Sequence, residues 1–250
     1  MSEPSAPLEF VTVCRTDVGR SRQQNQDYGF VGALPGAEDW TVLVVADGLG
    51  GHAHGEWASE RATAAFLEEL ATRLQSSGVR EALERAVAAA NRTVFNEGRD
   101  RKWNGSATTL AAVLYRGGEG WWVNVGDSRI YGRFGGEFEQ LSFDHSVVAE
   151  QVRAGLLPAS AAALHPHRNV VTRTVGFEPW VEPDQGGPLR FAGGDLVLLC
   201  SDGLHGVVED EVIAQILRDF PPEEAAGVLV DLANGAGGPD NITVAIGMLR

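Results

Sequence analysis

Two pairs of amphipathic helices divide the apolar runs of this chain into blocks, and that order restricts the fold more than any other feature. Residues 56–75, "EWASERATAAFLEELATRLQ", place Ala58, Ala62, Ala65, Phe66 and Leu70 on one face at i, i+3, i+4 spacing. Ser76, Ser77 and Gly78 break the pattern, and "REALERAVAAANRTVFNEG" (80–98) repeats it, which predicts a helical hairpin. A second pair is predicted over 209–219 and 222–233. Short β-type runs fill the rest: "FVTVC" (10–14), "DYGFVGAL" (27–34) and "WTVLVVA" (40–46) come before the first pair. "ATTLAAVLY" (107–115), "GWWVNVG" (120–126), "SRIYGRF" (128–134) and "EFEQL" (137–141) come after it. "DLVLLCSDGL" (195–204) precedes the second pair and "ITVAIGML" (242–249) follows it. Strands, two helices, strands, two helices, strand is not the alternation of a doubly wound parallel sheet; it fits two packed sheets with helix pairs outside. Tight turns at Gly117-Gly118 and Gly135-Gly136 make those sheets mainly antiparallel, an α+β fold. Residues 146–170, with Pro158 and Pro166, predict a short helix and then an irregular surface excursion, the expected place of a mobile flap.

A chain of 250 residues can bury a core without disulfides or structural metal. Residues 1–8, with Pro4 and Pro7, predict a flexible lead-in, and 9–250 a single domain. Cys14 and Cys200 lie far apart and outside any CxxC, so reduced, structural thiols are expected rather than a disulfide framework or a thiolate zinc site. "MSEPSAPLEF" has neither a positive n-region nor an apolar h-region, which predicts a cytoplasmic protein. No apolar run approaches the roughly 20 residues that span a bilayer. A formal net charge of −14 argues against nucleic acid as a partner, since a phosphate backbone calls for a clustered basic face. A monomer is expected.

Within that frame, carboxylates recur where strands end. "LVVADG" (43–48) and "LVLLCSDG" (196–203) are apolar runs that stop at Asp47 and Asp202; "WVNVGDS" (122–128) stops at Asp127, and "GGPDN" (237–241) sets Asp240 before the last strand. Any one Asp-Gly is explained as a turn, because Asp bonds its own backbone and Gly tolerates positive φ. Together they form a pattern that turns do not require. Converging carboxylates repel and hold their protons unless a cation lies between them, and hard oxygen ligands in that number favour Mg²⁺ or Mn²⁺ over zinc. Arg22, in "GRSRQQNQD" (19–27), suits bidentate grip of a phosphate beside such a centre. The competing pattern is HxH, found at His52/His54 and His165/His167, which suggests a zinc hydrolase but lacks the following Asp-His pair. His145 and His205 are expected at loops or sheet edges, titrating near neutrality.

Taken in order, "GRSRQQNQD", "VVADGLGGHAHGE", "NGSATTL", "VNVGDSRIYG" with "LSFDHS", "LLCSDGL" and "GPDNITV" resemble the metal-dependent protein phosphatases of the PP2C type in their compact bacterial form, from about residue 9 to the C-terminus. The resemblance implies an αββα sandwich with a dimetal centre at one end of the sheets, hydrolysing phosphoserine and phosphothreonine in proteins and so reversing a Ser/Thr kinase system. By motif position, Asp47 bridges two Mn²⁺ or Mg²⁺ ions, the Gly48 carbonyl is a further ligand, and Asp202 and Asp240 complete one shell. Arg22 holds phosphate, Asp27 orders metal-held water, and Asp127 with Asp202 holds a third, looser ion under the flap. The implied reaction is in-line attack on phosphorus by a water shared between two cations. Two departures stand out: Gln26 replaces the Glu of the usual Asn-Glu-Asp, and Leu49 occupies the place where some eukaryotic members carry a histidine. The alternatives are a pseudophosphatase that binds phosphoproteins with little turnover, which the intact Asp47, Asp202 and Asp240 disfavour, and the His-ligated zinc hydrolase.

Overall fold

The structure, a computed structural model, describes residues 8–49, 54–103, 105–162 and 165–250. It contains β1 (Phe10–Asp17), β2 (Asp27–Leu34), β3 (Ala37–Leu49), α1 (Gly55–Arg73), α2 (Val79–Asp100), β4 (Ala107–Thr108), β5 (Leu110–Arg116), β6 (Glu119–Val125), β7 (Arg129–Phe134) and β8 (Glu137–Gln140). These are followed by α3 (Val147–Arg153), α4 (Ala159–Ala162), β9 (Asp184–Arg190), β10 (Leu196–Cys200), α5 (Asp202–His205), α6 (Asp210–Asp219), α7 (Pro222–Gly235) and β11 (Ile242–Leu249). One sheet runs β1-β11-β10-β7-β8 and the other β2-β3-β5-β6-β9, with β4 paired to the end of β3. Every pairing between named strands is antiparallel.

The central strands read as unbroken apolar runs because both of their faces are covered. Along β3, Val42 and Val44 pack under α1 and α2, whereas Leu43 and Val45 face the other sheet. Along β10 the same period of two sends Leu196, Leu198 and Cys200 toward α6 and α7, and Val197 and Leu199 into the middle. Three apolar layers result: helix pair on sheet, sheet on sheet, and sheet on helix pair, the expected αββα sandwich. Ala58, Ala62, Phe66 and Leu70 of α1 are all fully buried, so the stripe visible in the sequence is the face that meets β3. Each such Leu or Phe contributes about 1.5–3 kcal/mol by leaving water. The hairpins β5–β6 and β7–β8 turn through Gly117-Gly118 and Gly135-Gly136, all four at positive φ, as turns matched to strand twist require.

Three details depart from expectation. Thr109 interrupts the single run expected over 107–115, leaving β4 on the tail of β3 and β5 in the main sheet. β9 has no forerunner in the sequence pattern, because Gly186-Gly187-Pro188 reads as a turn. It forms because it is an edge strand paired only to β6, where a missing proline N–H is tolerated. Gly186 is needed there, since a Cβ would stand 2.4 Å from the Trp122 ring. The lead-in expected over residues 1–8 lies, up to residue 7, outside the described residues. No described helix is long and apolar enough to cross a membrane.

Candidate active site

Antiparallel register delivers the acidic strand ends to one end of the sandwich. β2 begins at Asp27, the direct cross-strand partner of Asp47 on β3. In the other sheet, the last residue of β10, Cys200, pairs with Val244 near the start of β11 and with Arg129 at the start of β7. Asp202, Asp240 and Asp127 therefore leave that sheet on the same side. The backbone of Asp47 is held at both polar atoms: its N–H donates to Thr109 Oγ1 at 2.9 Å, and its carbonyl accepts from Thr109 N and Thr108 Oγ1, each at 2.9 Å. Ser201 joins the sheets, its hydroxyl donating to Asp27 Oδ2 at 2.6 Å and accepting from Thr243 N at 2.9 Å. Asn241 secures the loop that carries Arg22: its Oδ1 accepts from Gln26 N at 2.8 Å and its Nδ2 donates to the Val18 and Gln24 carbonyls at 2.9 Å. Arg22 itself is half exposed, with NH2 2.8 Å from Asp240 Oδ2.

The glycines after Asp47 and Asp202 correct the turn explanation. Neither is at positive φ. Gly48 lies within β3, paired with Thr108, and a Cβ there would stand 2.2 Å from the Gly55 carbonyl oxygen and 2.6 Å from that of Gln26. At Gly203 a Cβ would stand 1.9 Å from the Asn241 carbonyl oxygen. Both glycines exist so that two backbones can cross beside an aspartate, and at Gly48 the crossing partner is the first turn of α1, the positive end of its dipole.

Burial and mutual repulsion make these carboxylates reluctant to ionise. Burial, then the charges of Asp27, Asp202, Asp127 and Asp240, push Asp47 well above the ordinary carboxylate range. Asp27 and Asp127 are pushed up to about 7, and Asp202 to about 6, in each case by burial first and neighbouring carboxylates second. Asp27 Oδ1 and Asp202 Oδ1 are buried without a hydrogen-bond partner among the described residues. Beside the cluster opens a cavity of about 500 Å³ lined by Arg22, Asp127, Asp202, Asp240, His205 and, from the flap, Arg168 and Asn169.

Residues 18–229 match the family model described as protein phosphatase 2C. The chain belongs to the protein phosphatase 2C family. Protein phosphatase PhpP of Streptococcus pneumoniae is 36% identical over 234 residues, 92% of this chain and 94% of the relative. A serine/threonine phosphatase, stp, of Listeria monocytogenes is 35% identical over 236 residues, 92% of each chain. The crystal structure of the Mycobacterium tuberculosis serine/threonine phosphatase PstP/Ppp superposes with a TM-score of 0.86 at 34% identity, covering 96% of this chain and 99% of that one. The catalytic domain of PstP in complex with two manganese ions gives 0.83 at 32% identity, covering 97% and 99%.

Against that family, the sequence expectations fall as follows. Asp47, Gly48, Asp127, Asp202, Asp240, Asp27 and Arg22 all stand at the same end of the sheets. Gln26, at the first departure, works through its backbone: its carbonyl accepts from Gly48 N at 3.1 Å and from Ser59 Oγ at 2.7 Å. Leu49, at the second, sits in β3 paired with Ala107 and offers no proton. Of the HxH pairs, His52 lies outside the described residues, His54 stacks on Trp103 at 4.2 Å, and His165 and His167 meet edge to face at 5.5 Å in a turn. Titration near neutrality was expected of His145 and His205, but burial lowers the pKa of both, that of His205 to about 4. The supporting residues Thr108, Thr109, Ser201 and Asn241 escaped the sequence reading, although each lies inside a quoted motif. A hydroxyl or amide that bonds backbone carries no periodicity to reveal it.

Proposed function

We propose that this site hydrolyses phosphoserine and phosphothreonine esters of proteins with two Mn²⁺ or Mg²⁺ ions bound and a third held more loosely, and so reverses a Ser/Thr kinase system. The observation that carries the proposal is the cluster itself: five carboxylates at one end of the sandwich, two of them with a buried oxygen that lacks a partner. A buried carboxylate oxygen with nothing to accept from is costly, and a hydrated cation supplies what it lacks. The donors are all oxygen, which suits a small hard cation rather than zinc. Among the described residues no three His, Cys, Asp or Glu side chains already stand together as a finished ion site, so the carboxylates of the cluster would draw in on the ions as these bind. Such a cation would take the rest of its shell from water and backbone carbonyl.

Asp47 and the Gly48 carbonyl would hold the ions jointly, Asp202 and Asp240 would complete one shell, and Asp127 with Asp202 would hold the third. When bound, such ions supply positive charge for the phosphoryl oxygens and lower the pKa of the attacking water. Arg22 presents a fork of five N–H donors, one of them engaged by Asp240, and binds the remaining charge of the phosphoryl group. Asp27, fixed by the Ser201 hydroxyl, has its Oδ1 free to accept a hydrogen bond and would thereby orient a water in the cluster. The cavity has room for a phosphorylated side chain, and its flap wall limits bulk solvent. The naming of relatives as serine/threonine phosphatases, and the two manganese ions of PstP, support the same reading.

The test is turnover of a phosphothreonine peptide and of p-nitrophenyl phosphate by chelated protein supplemented with Mn²⁺, Mg²⁺ or Zn²⁺. Activity with Mn²⁺ or Mg²⁺ is expected. No turnover with any cation would overturn the proposal, and peptide binding without turnover would make the chain a pseudophosphatase. Zinc-only activity abolished by His52→Ala would favour the histidine site.

A further inference from the structure

We propose that His145 and His205 are positioning residues that clamp the Gly126–Asp127 peptide from two sides, fixing the Asp127 carboxylate for the looser cation and tying it to the neck of the flap. The inference rests on the assignment of Asp127 as a cation ligand made above, and it concerns groups that act through the Asp127 backbone.

His145 has no exposed surface, and its contacts with Gly126 are reciprocal. Gly126 N–H donates to His145 Nδ1 at 3.1 Å, and His145 N–H donates to the Gly126 carbonyl at 3.0 Å, which Asn124 Nδ2 also reaches at 3.2 Å. A backbone N–H can only donate, so Nδ1 is the acceptor and the ring proton is on Nε2. Nε2 lies 3.3 Å from Asp184 Oδ2 on β9, a close approach of N–H to carboxylate that falls short of an aligned hydrogen bond. Asp184 is held in turn by Arg173 at 3.0 Å. On the other side of the peptide, His205 Nε2 is 3.0 Å from the Asp127 carbonyl oxygen, which can only accept, so this Nε2 also carries its proton. The two rings thus satisfy the Gly126 N–H and the Asp127 C=O, on either side of the Asp127 Cα, and hold the backbone from which its side chain projects.

The same His145 closes the flap. Val147 N–H donates to the Val170 carbonyl at 2.9 Å, Thr172 N–H donates to the His145 carbonyl at 2.8 Å, and Ser146 bridges to Val171. The chain therefore leaves and re-enters the fold beside His145. One residue earlier, Asp144 is gripped by the Nε–NH2 edge of Arg129, with NH2 at 2.8 Å and Nε at 3.0 Å. A displacement of the flap neck is transmitted to the Asp127 peptide through one imidazole. Partners of this kind, one step behind a metal ligand, typically change metal affinity 10- to 100-fold when removed.

The experiment has one measurement on the parent and two pairs of variants. In chelated parent protein at pH 7, ¹⁵N NMR of labelled histidine should show His145 as the Nε2–H tautomer; an Nδ1–H tautomer would overturn the clamp. His145→Leu should speed hydrogen exchange of the Gly126 amide. It should also weaken the weakest Mn²⁺ site, counted by the EPR signal of free Mn²⁺, by about tenfold or more, with the tighter sites within about twofold of the parent. His145→Asn, which places an amide oxygen near Nδ1, should keep both readouts close to the parent. His205→Leu and His205→Gln form the matching pair, Gln keeping a donor near Nε2. A folded His145→Leu with the parent's Mn²⁺ isotherm and Gly126 exchange would refute the inference; should it not fold, equal isotherms for the two His205 variants would do so. A parent without phosphatase activity but with the expected tautomer and Gly126 protection would instead sink the proposed function and leave the clamp standing.

Discussion

Asp127→Asn should stabilise the cation-free protein, by an amount that grows with pH. Asp127 is buried at 8% exposure, and burial with the charge of Asp202 raises its pKa from 3.8 to about 7. The sign follows from proton counting. Between about pH 4 and 7 the folded state keeps a proton that the unfolded state has lost, so stability falls as pH rises through that window. Below the unfolded pKa the group costs nothing, and above the folded pKa it costs its full shift, about 3 units or ~4 kcal/mol. At pH 5 the same expression gives ~2 kcal/mol. Asn resembles the protonated acid and never ionises. In EDTA the variant should therefore exceed the parent by ~4 kcal/mol at pH 8 and ~2 kcal/mol at pH 5. The difference between pH values corresponds to a change of about 4–8 °C in the gap between melting temperatures for a chain of this size. Comparing variant with parent removes the opposite trend set by His205, which burial lowers to about 4 and which gains stability as pH rises. Calorimetry at the two pH values, in EDTA and in excess Mn²⁺, is the assay, and Mn²⁺ should erase the advantage. A gap that is equal at pH 5 and 8, or a variant less stable than the parent at pH 8 in EDTA, would refute the electrostatic account of the cluster.

Asp202→Asn should lower turnover of a phosphopeptide at least ~100-fold at saturating Mn²⁺ while leaving the urea midpoint near or above the parent's, since it removes a ligand charge rather than packing. Gly203→Ala should destabilise by about 3 kcal/mol or more in urea melts, because the new Cβ falls 1.9 Å from a backbone oxygen that no rotamer change can move. Gly227→Ala, in α7 with nothing within 4 Å, should instead stabilise by about 0.5–1 kcal/mol through helix propensity. Ser201→Ala strips the donor from Asp27 and the acceptor from Thr243 N, and should cost about 1–3 kcal/mol in the same melts.

Much of the architecture was legible in residue order. Periodicity marked α1 and α2 and the face they bury, and β2 and β11 have the bounds that their apolar runs suggested; β11, a central strand, is buried along almost its whole length. Recurrence of aspartate at strand ends marked the acidic positions, and their ordered motifs marked the family. β9 was invisible, because its glycines and proline are tolerated only at an edge under Trp122. The backbone crossings at Gly48 and Gly203 were hidden, since the sequence says that a glycine is present but not which backbone passes over it. The ionisation of His145 and His205 escaped the sequence for the same reason: burial lowers their pKa values, and burial belongs to the packed molecule.

The chain's pattern by itself determined the central strands, the two helix pairs and where carboxylates interrupt them, because local propensity and apolar period act within a few residues. Tertiary structure alone decided that Asp27 faces Asp47, that Ser201 reaches Asp27 across the two sheets, and that a flap neck shares an imidazole with Gly126. Those contacts join residues 19 to 174 positions apart, and only the packing of the chain in three dimensions brings them together.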